Sequence, residues 1–144
     1  MKIGQLAARL RLPVATLRYW EAEGLLPAAQ RDASNYRRYG ASHLERGLFV
    51  RNCRSLGMSQ DEIKQLLALQ QNRQNDCHQV NRIIDTHLQH LQDYIASLSH
   101  LAEQLTALRN QCQLDLPIES CPILRGLQKL ESKEVPPSLH PNNG

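Results

Sequence analysis

The chain has 144 residues, 41% of them apolar and 22% charged, with a formal net charge of +3. That length gives one or two small domains with room for a real core, and no apolar run is long enough for a membrane-spanning helix. Lys2, Arg9 and Arg11 interrupt the apolar residues at the N-terminus, so no signal peptide is expected and the four cysteines are expected to be reduced thiols in a cytoplasm. Charge is uneven. Residues 1–64 carry 11 Lys/Arg against 6 Asp/Glu, whereas residues 65–144 carry 6 against 8. A basic N-terminal half on a mildly acidic remainder suits a nucleic-acid-binding head joined to an oligomerisation and sensing module.

In chain order, Ile3, Leu6, Ala7 and Leu10 share one face and predict a short helix over 3–10. Pro13 opens a second helix to about Ala22, with Val14, Leu17 and Trp20 inward and Ala15, Thr16, Arg18 and Tyr19 on other faces. Such a pair is a helix-turn-helix arrangement, whose second helix enters the major groove. Asp32, Ser34 and Asn35 suit a hairpin turn, and Tyr36 and Tyr39 suit strands. Arg31, Arg37 and Arg38 interleave with these tyrosines, as expected of a wing lying on phosphates. A third helix is expected over Ser42–Leu56, with Arg46, Arg51 and Arg54 exposed and Cys53 as a structural thiol. Ser59 and Glu62 form a capping box for a fourth helix.

The strongest periodic signal lies between two cysteines. Cys77, Val80, Ile84, His87, Leu91, Tyr94, Leu98, Leu101, Leu105, Leu108 and Cys112 follow one another in alternating steps of three and four. This is a coiled-coil seam of five heptads without Pro or Gly. The end cysteines stand roughly 52 Å apart at about 1.5 Å per residue, too far to share a ligand on one helix. If two copies pair antiparallel, Cys77 of one meets Cys112 of the other at each dimer end. Cys121, after a loop containing Pro117, is placed to fold back as a third thiol. Thiolates at helix termini are what a soft-metal site requires. Pro122 then starts a short helix to about Leu130, with Cys121 at its N-terminus.

Ile3-Gly4-Gln5-Leu6-Ala7, Thr16-Leu17-Arg18-Tyr19-Trp20-Glu21, Gly24-Leu25-Leu26, Asn35-Tyr36-Arg37-Arg38-Tyr39 and Arg54-Ser55-Leu56-Gly57-Met58-Ser59 resemble, in order, the MerR family of bacterial transcriptional regulators. The chain departs from the family's usual pattern at Arg11, where Gly is common, and at Trp20, where a tyrosine is common. The resemblance implies a mainly α fold with a winged helix-turn-helix head, a long antiparallel coiled-coil dimerisation helix and a short C-terminal metal-binding loop and helix. The corresponding segments are 1–70 for the head, 71–76 for a linker, 77–112 for the coiled coil, 113–130 for the loop and helix, and 131–144 for a disordered tail. It further implies DNA contacts from Thr16, Arg18 and Tyr19 on the recognition helix, and from Tyr36, Arg37 and Tyr39 in the wing.

The family also implies a function. A homodimer binds promoter DNA, distorts it when metal binds Cys77, Cys112 and Cys121, and so lets RNA polymerase read the promoter of metal-resistance or efflux genes. A cysteine at position 77, and the run Cys77-His78-Gln79-Val80-Asn81 with His87 and His90, resemble the cadmium- and lead-responsive branch. Cadmium or lead is therefore the expected divalent ion, with mercury or zinc as alternatives. His87, His90 and His140 are candidates for a second metal site. The protein is expected to act in the bacterial cytoplasm, at the nucleoid, without enzymatic activity. Cys77 and His78 as nucleophile and base lack a third orienting group.

Overall fold

The computed structural model describes residues 1–131, in two compact units divided between Ile84 and Asp85. The first unit contains α1 (Ile3–Leu10), α2 (Val14–Ala22), β1 (Gln30–Arg31), β2 (Arg37–Arg38), α3 (Ala41–Ser55) and α4 (Gln60–Gln71). The long α5 (Cys77–Asn110) begins in the first unit and continues into the second, which also holds a 3-10 turn at Ile118–Ser120 and α6 (Pro122–Lys129).

The head's core is aliphatic. Leu6, Leu10, Leu17, Leu25, Leu26, Val50 and Ile63 are its largest fully buried side chains. Gly47 lets α1 and α3 meet closely, because a Cβ there would stand 2.5 Å from Leu10 Cδ1. Val80 and Ile83 of α5 pack against this same core, so the first two turns of the long helix belong to the head rather than beginning after it.

Helices α1, α2 and α3 stop in the same way. In each, a residue at positive φ is followed by an N–H that reaches back to a carbonyl five residues earlier: Leu12 to Ala7, Leu25 to Trp20, and Met58 to Cys53. This is the Schellman closure. Gly24 (φ 80°) and Gly57 (φ 79°) supply the left-handed residue in two cases, and Arg11 (φ 56°) supplies it in the third. The departure from glycine at position 11 thus leaves the turn's shape intact but holds an L side chain in a costly conformation. Pro13 sits at the N-cap of α2, one position ahead of its first turn.

The hairpin is shorter than the tyrosines suggested. The strands cover only two residues each, and both Tyr36 and Tyr39 lie outside them. The capping box of α4 forms as read: Ser59 Oγ accepts from Glu62 N at 3.1 Å, and Glu62 Oε1 accepts from Ser59 N at 2.9 Å. Asp76 Oδ1 accepts from His78 N at 2.9 Å and starts α5. That helix runs 34 residues without a break and leaves Leu88 (50%), Leu91 (39%), Ile95 (62%) and Leu105 (65%) exposed. Leu88 and Ile95 fall one position after His87 and Tyr94 of the seam, so the apolar face is wider than the strict three-four alternation indicated.

Candidate functional site

The recognition helix presents Arg18 and Tyr19 to solvent and Thr16 half-buried. Tyr19 is 51% exposed, and its hydroxyl accepts a hydrogen bond from Gln60 Nε2 at 2.7 Å. The first turn of α4 thereby orients a side chain of α2.

The wing is built on Asp32. Its Oδ1 accepts from the N–H groups of Ser34 and Tyr36, both at 3.0 Å, and its Oδ2 accepts from Arg38 Nε at 2.9 Å. These bonds, that of Tyr36 foremost, hold the Asp32 carboxyl below the usual carboxylate range. Asn35 takes positive φ (65°) to close the turn, where Asn is among the residues that tolerate it. Register pairs Arg31 directly with Arg37, so two guanidinium-bearing residues occupy one face of the hairpin. Like charges in that position are unfavourable by themselves. Tyr36 is 68% exposed at the wing's tip.

Tyr39 does not join the exposed set. It is 2% exposed, and its hydroxyl donates to Glu21 Oε2 at 3.0 Å. Burial and this bond push its phenol pKa up. Its main chain exchanges two hydrogen bonds with Met1, and its ring meets His43 edge-on at 5.1 Å. The position expected to touch DNA is a core position because the hairpin's base, unlike its tip, folds against α2. Glu21 Oε1 also accepts from Ala29 N at 3.0 Å. One carboxylate on the recognition helix therefore fastens both ends of the wing segment.

His43 adds a second clamp that sequence reasoning missed. Its Nδ1 accepts from Gly40 N at 3.0 Å, which makes Nε2 the donor to Ala28 O at 3.1 Å. The signal was a polar residue at the third position of a helix following Gly40. Two of the three arginines of α3 also differ from expectation, while Arg54 is exposed as expected. Arg46 and Arg51 are half-buried, and the guanidiniums of Arg51 and Arg54 donate to Leu10 O at 3.1 Å and Met58 O at 2.8 Å. The first satisfies a carbonyl left over at the end of α1, and the second holds the turn between α3 and α4.

The cysteines divide by environment. Cys53 is buried, and desolvation pushes its thiol pKa up, in keeping with a structural role. Cys77 is exposed at the start of α5. Cys112 and Cys121 are half-buried and flank the loop 113–120 in the second unit. Cys112 Sγ donates to Leu114 O at 2.9 Å, and Arg109 Nη1 donates to Cys112 O at 2.7 Å. Cys121 is the N-cap of α6, and Arg125 Nη2 donates to Glu119 O at 3.1 Å.

Among the described residues of one chain, no three His, Cys, Asp or Glu side chains come together. His87 is buried while His90 is exposed, so the two do not present a common accessible pair. His140 and the tail over 132–144 lie outside the described residues.

A basic two-stranded wing beside a tight pair of short helices defines a winged helix-turn-helix DNA-binding head. The chain belongs to the MerR family of helix-turn-helix transcriptional regulators, which are regulators and not enzymes. The family model for MerR HTH family regulatory proteins matches residues 1–70, and the MerR DNA-binding model matches 44–108. The HTH-type transcriptional regulator ZntR homolog of Haemophilus influenzae is 40% identical over 111 residues, 77% of this chain and 82% of the relative. A probable heavy metal-dependent transcriptional regulator from the same organism is 38% identical over 128 residues, 88% of this chain and 98% of the relative. The crystal structure of the transcription regulator PbrR691 from Ralstonia metallidurans CH34 in complex with lead(II) matches with TM-score 0.81 at 38% identity, covering 88% of this chain and 98% of that one. No helix among the described residues is long and apolar enough to cross a membrane.

Proposed function

We propose that this chain is a metal-responsive transcriptional activator that works as an antiparallel homodimer in the bacterial cytoplasm. Cys112 and Cys121 of one chain and Cys77 of the other hold one divalent soft ion, lead or cadmium. The observation that carries this reading is the placement of the thiols. Cys77 opens one unbroken helix, Cys112 follows its end by two positions, Cys121 caps the next helix, and they form no trio within a chain. The exposed residues Leu88, Leu91, Ile95 and Leu105 supply the apolar face that a second copy would bury. The likeness to a regulator solved with lead supports a heavy-metal ion in this site.

On DNA, Arg18 and Tyr19 enter the major groove, with Thr16 beside them, while Arg31, Tyr36 and Arg37 lie along the phosphates. The facing pair Arg31 and Arg37 finds its counter-charge there. The bound ion supplies a bridge between thiolates of two chains. Cys77 belongs to the same compact unit as the head, so fixing its thiol biases the pose of that head. The two heads then bend and untwist the operator, and RNA polymerase reads the realigned promoter of a metal-resistance or efflux gene.

Titrating the reduced protein with lead, cadmium, mercury and zinc under chelator competition tests the site. An intense thiolate-to-lead absorption saturating near one ion per chain supports it. Tighter binding of mercury than of lead and cadmium reassigns the inducer. Absence of any thiolate charge-transfer band removes metal from the account.

A further inference from the structure

We propose that Gly126 is a positioning residue for the Cys112–Cys121 thiol pair: the close seat it gives α6 against the last turn of α5 sets the bite of that pair and hence its choice among soft ions. The inference rests on the metal-site reading above.

Cys121 is the N-cap of α6, and Cys112 follows the end of α5 by two positions. A Cβ at position 126 would stand 2.9 Å from Leu108 Cδ2 and 2.9 Å from Gln111 Oε1. Contacts that short do not persist, so glycine is what allows this approach of the two helices. Leu108 is 7% exposed and meets the added Cβ with a methyl carbon, whereas the exposed Gln111 can swing away. Any side chain at 126 therefore works mainly against Leu108 and moves α6 outward.

That movement reaches the thiols because their main chain is tied to the helices. Arg109 on α5 holds the carbonyl of Cys112 at 2.7 Å. Arg125 on α6 holds the carbonyl of Glu119 at 3.1 Å, and its own N–H donates to Cys121 O at 3.3 Å. The loop between the cysteines is thus anchored at both ends, and the distance between the helices is passed to the sulfurs. Zinc demands thiolate bonds of about 2.3 Å, and larger ions accept a wider bite. Moving α6 outward costs zinc more than lead.

The test uses the full-length reduced chain and its variants Gly126→Ala and Gly126→Val, titrated with zinc and with lead under chelator competition. Operator binding by the metal-free variants is expected to match the parent chain. Zinc affinity is expected to fall on the order of ten- to a hundredfold, in line with the loss of groups that orient metal ligands, and lead affinity to fall less, so the lead-to-zinc ratio rises. The double variant Leu108→Ala/Gly126→Ala makes room for the added methyl and, compared with Leu108→Ala alone so that any weakening of the seam cancels, is expected to bring the ratio back, which distinguishes displacement from general instability. Equal losses for both ions, or an unchanged ratio, overturns the role of Gly126 while leaving the thiol site standing. Absence of a thiolate band in the parent chain overturns the metal site itself and this role with it.

Discussion

The hydroxyl of Tyr39 donates to Glu21 Oε2 at 3.0 Å, joining the base of the wing to the recognition helix. Glu21 also holds the main chain of Ala29, so the wing segment is fastened to α2 at both of its ends. Tyr39→Phe leaves that carboxylate short of a donor and is expected to cost about 1.5–3 kcal/mol, the range for a hydrogen bond to a charged group. Thermal or urea unfolding measures the stability, and operator affinity is expected to fall further than the fold's stability alone requires. The folded state keeps the phenol protonated above its ordinary value of 10.0. The stability due to this shift is present below pH 10 and is lost as pH rises through the raised value.

Asp32 gives the wing the opposite dependence. Its pKa is lowered from 3.8, so its contribution is present above that value and is lost as pH falls through the lower, folded one. Asp32→Asn keeps the side chain's size but removes the charge that meets Arg38. Hydrogen exchange at the amides of Ser34 and Tyr36 is expected to quicken in that variant at neutral pH. Unchanged protection would show that the turn does not depend on the carboxylate.

Position 11 is where the chain departs from glycine without changing the turn. Arg11→Gly relieves a left-handed L residue at φ 56° and is expected to raise stability by about 1 kcal/mol. At position 47 the expectation reverses. Gly47→Ala drives a methyl against Leu10 Cδ1, 2.5 Å away, and is expected to destabilise the head by about 1–3 kcal/mol. Paired urea melts decide both, and a stabilised Gly47→Ala variant would mean that α1 and α3 have slack.

The cysteines are expected to separate under alkylation. Cys77 is exposed, and Cys53 is buried with its thiol pKa raised from 9.0. Timed maleimide labelling of the metal-free chain, read by peptide mass, is expected to modify Cys77 well before Cys53. Reaction at equal rates would contradict the packed head.

Much of this was legible in the chain. Leu6, Leu10, Leu17 and Trp20 repeat at helical spacing, and Ser59 with Glu62 spells a capping box, so the helices of the head could be read to within a residue or two. The seam from Cys77 to Cys112 gave the long helix, and the MerR-like motifs gave the family. Tertiary bonds were not legible. Nothing local distinguishes Tyr36, at the wing's tip, from Tyr39, whose side chain folds back on Glu21. The same limit hid the bonds of Arg51 and Arg54 to the carbonyls of Leu10 and Met58, and the seat of Gly126 on Leu108. Such pairs depend on how elements meet, and periodicity records only which face each element turns inward.

The central claim is that each metal site draws thiols from two chains. The direct test pairs a Cys77→Ser chain with a Cys112→Ser/Cys121→Ser chain, each inactive for three-thiolate binding alone. Separated by differently tagged purification, the mixed dimer is expected to bind one lead ion with the parent absorption band, half the parent dimer's capacity, because one end regains all three sulfurs. A mixed dimer that binds no better than either variant alone would contradict the shared site.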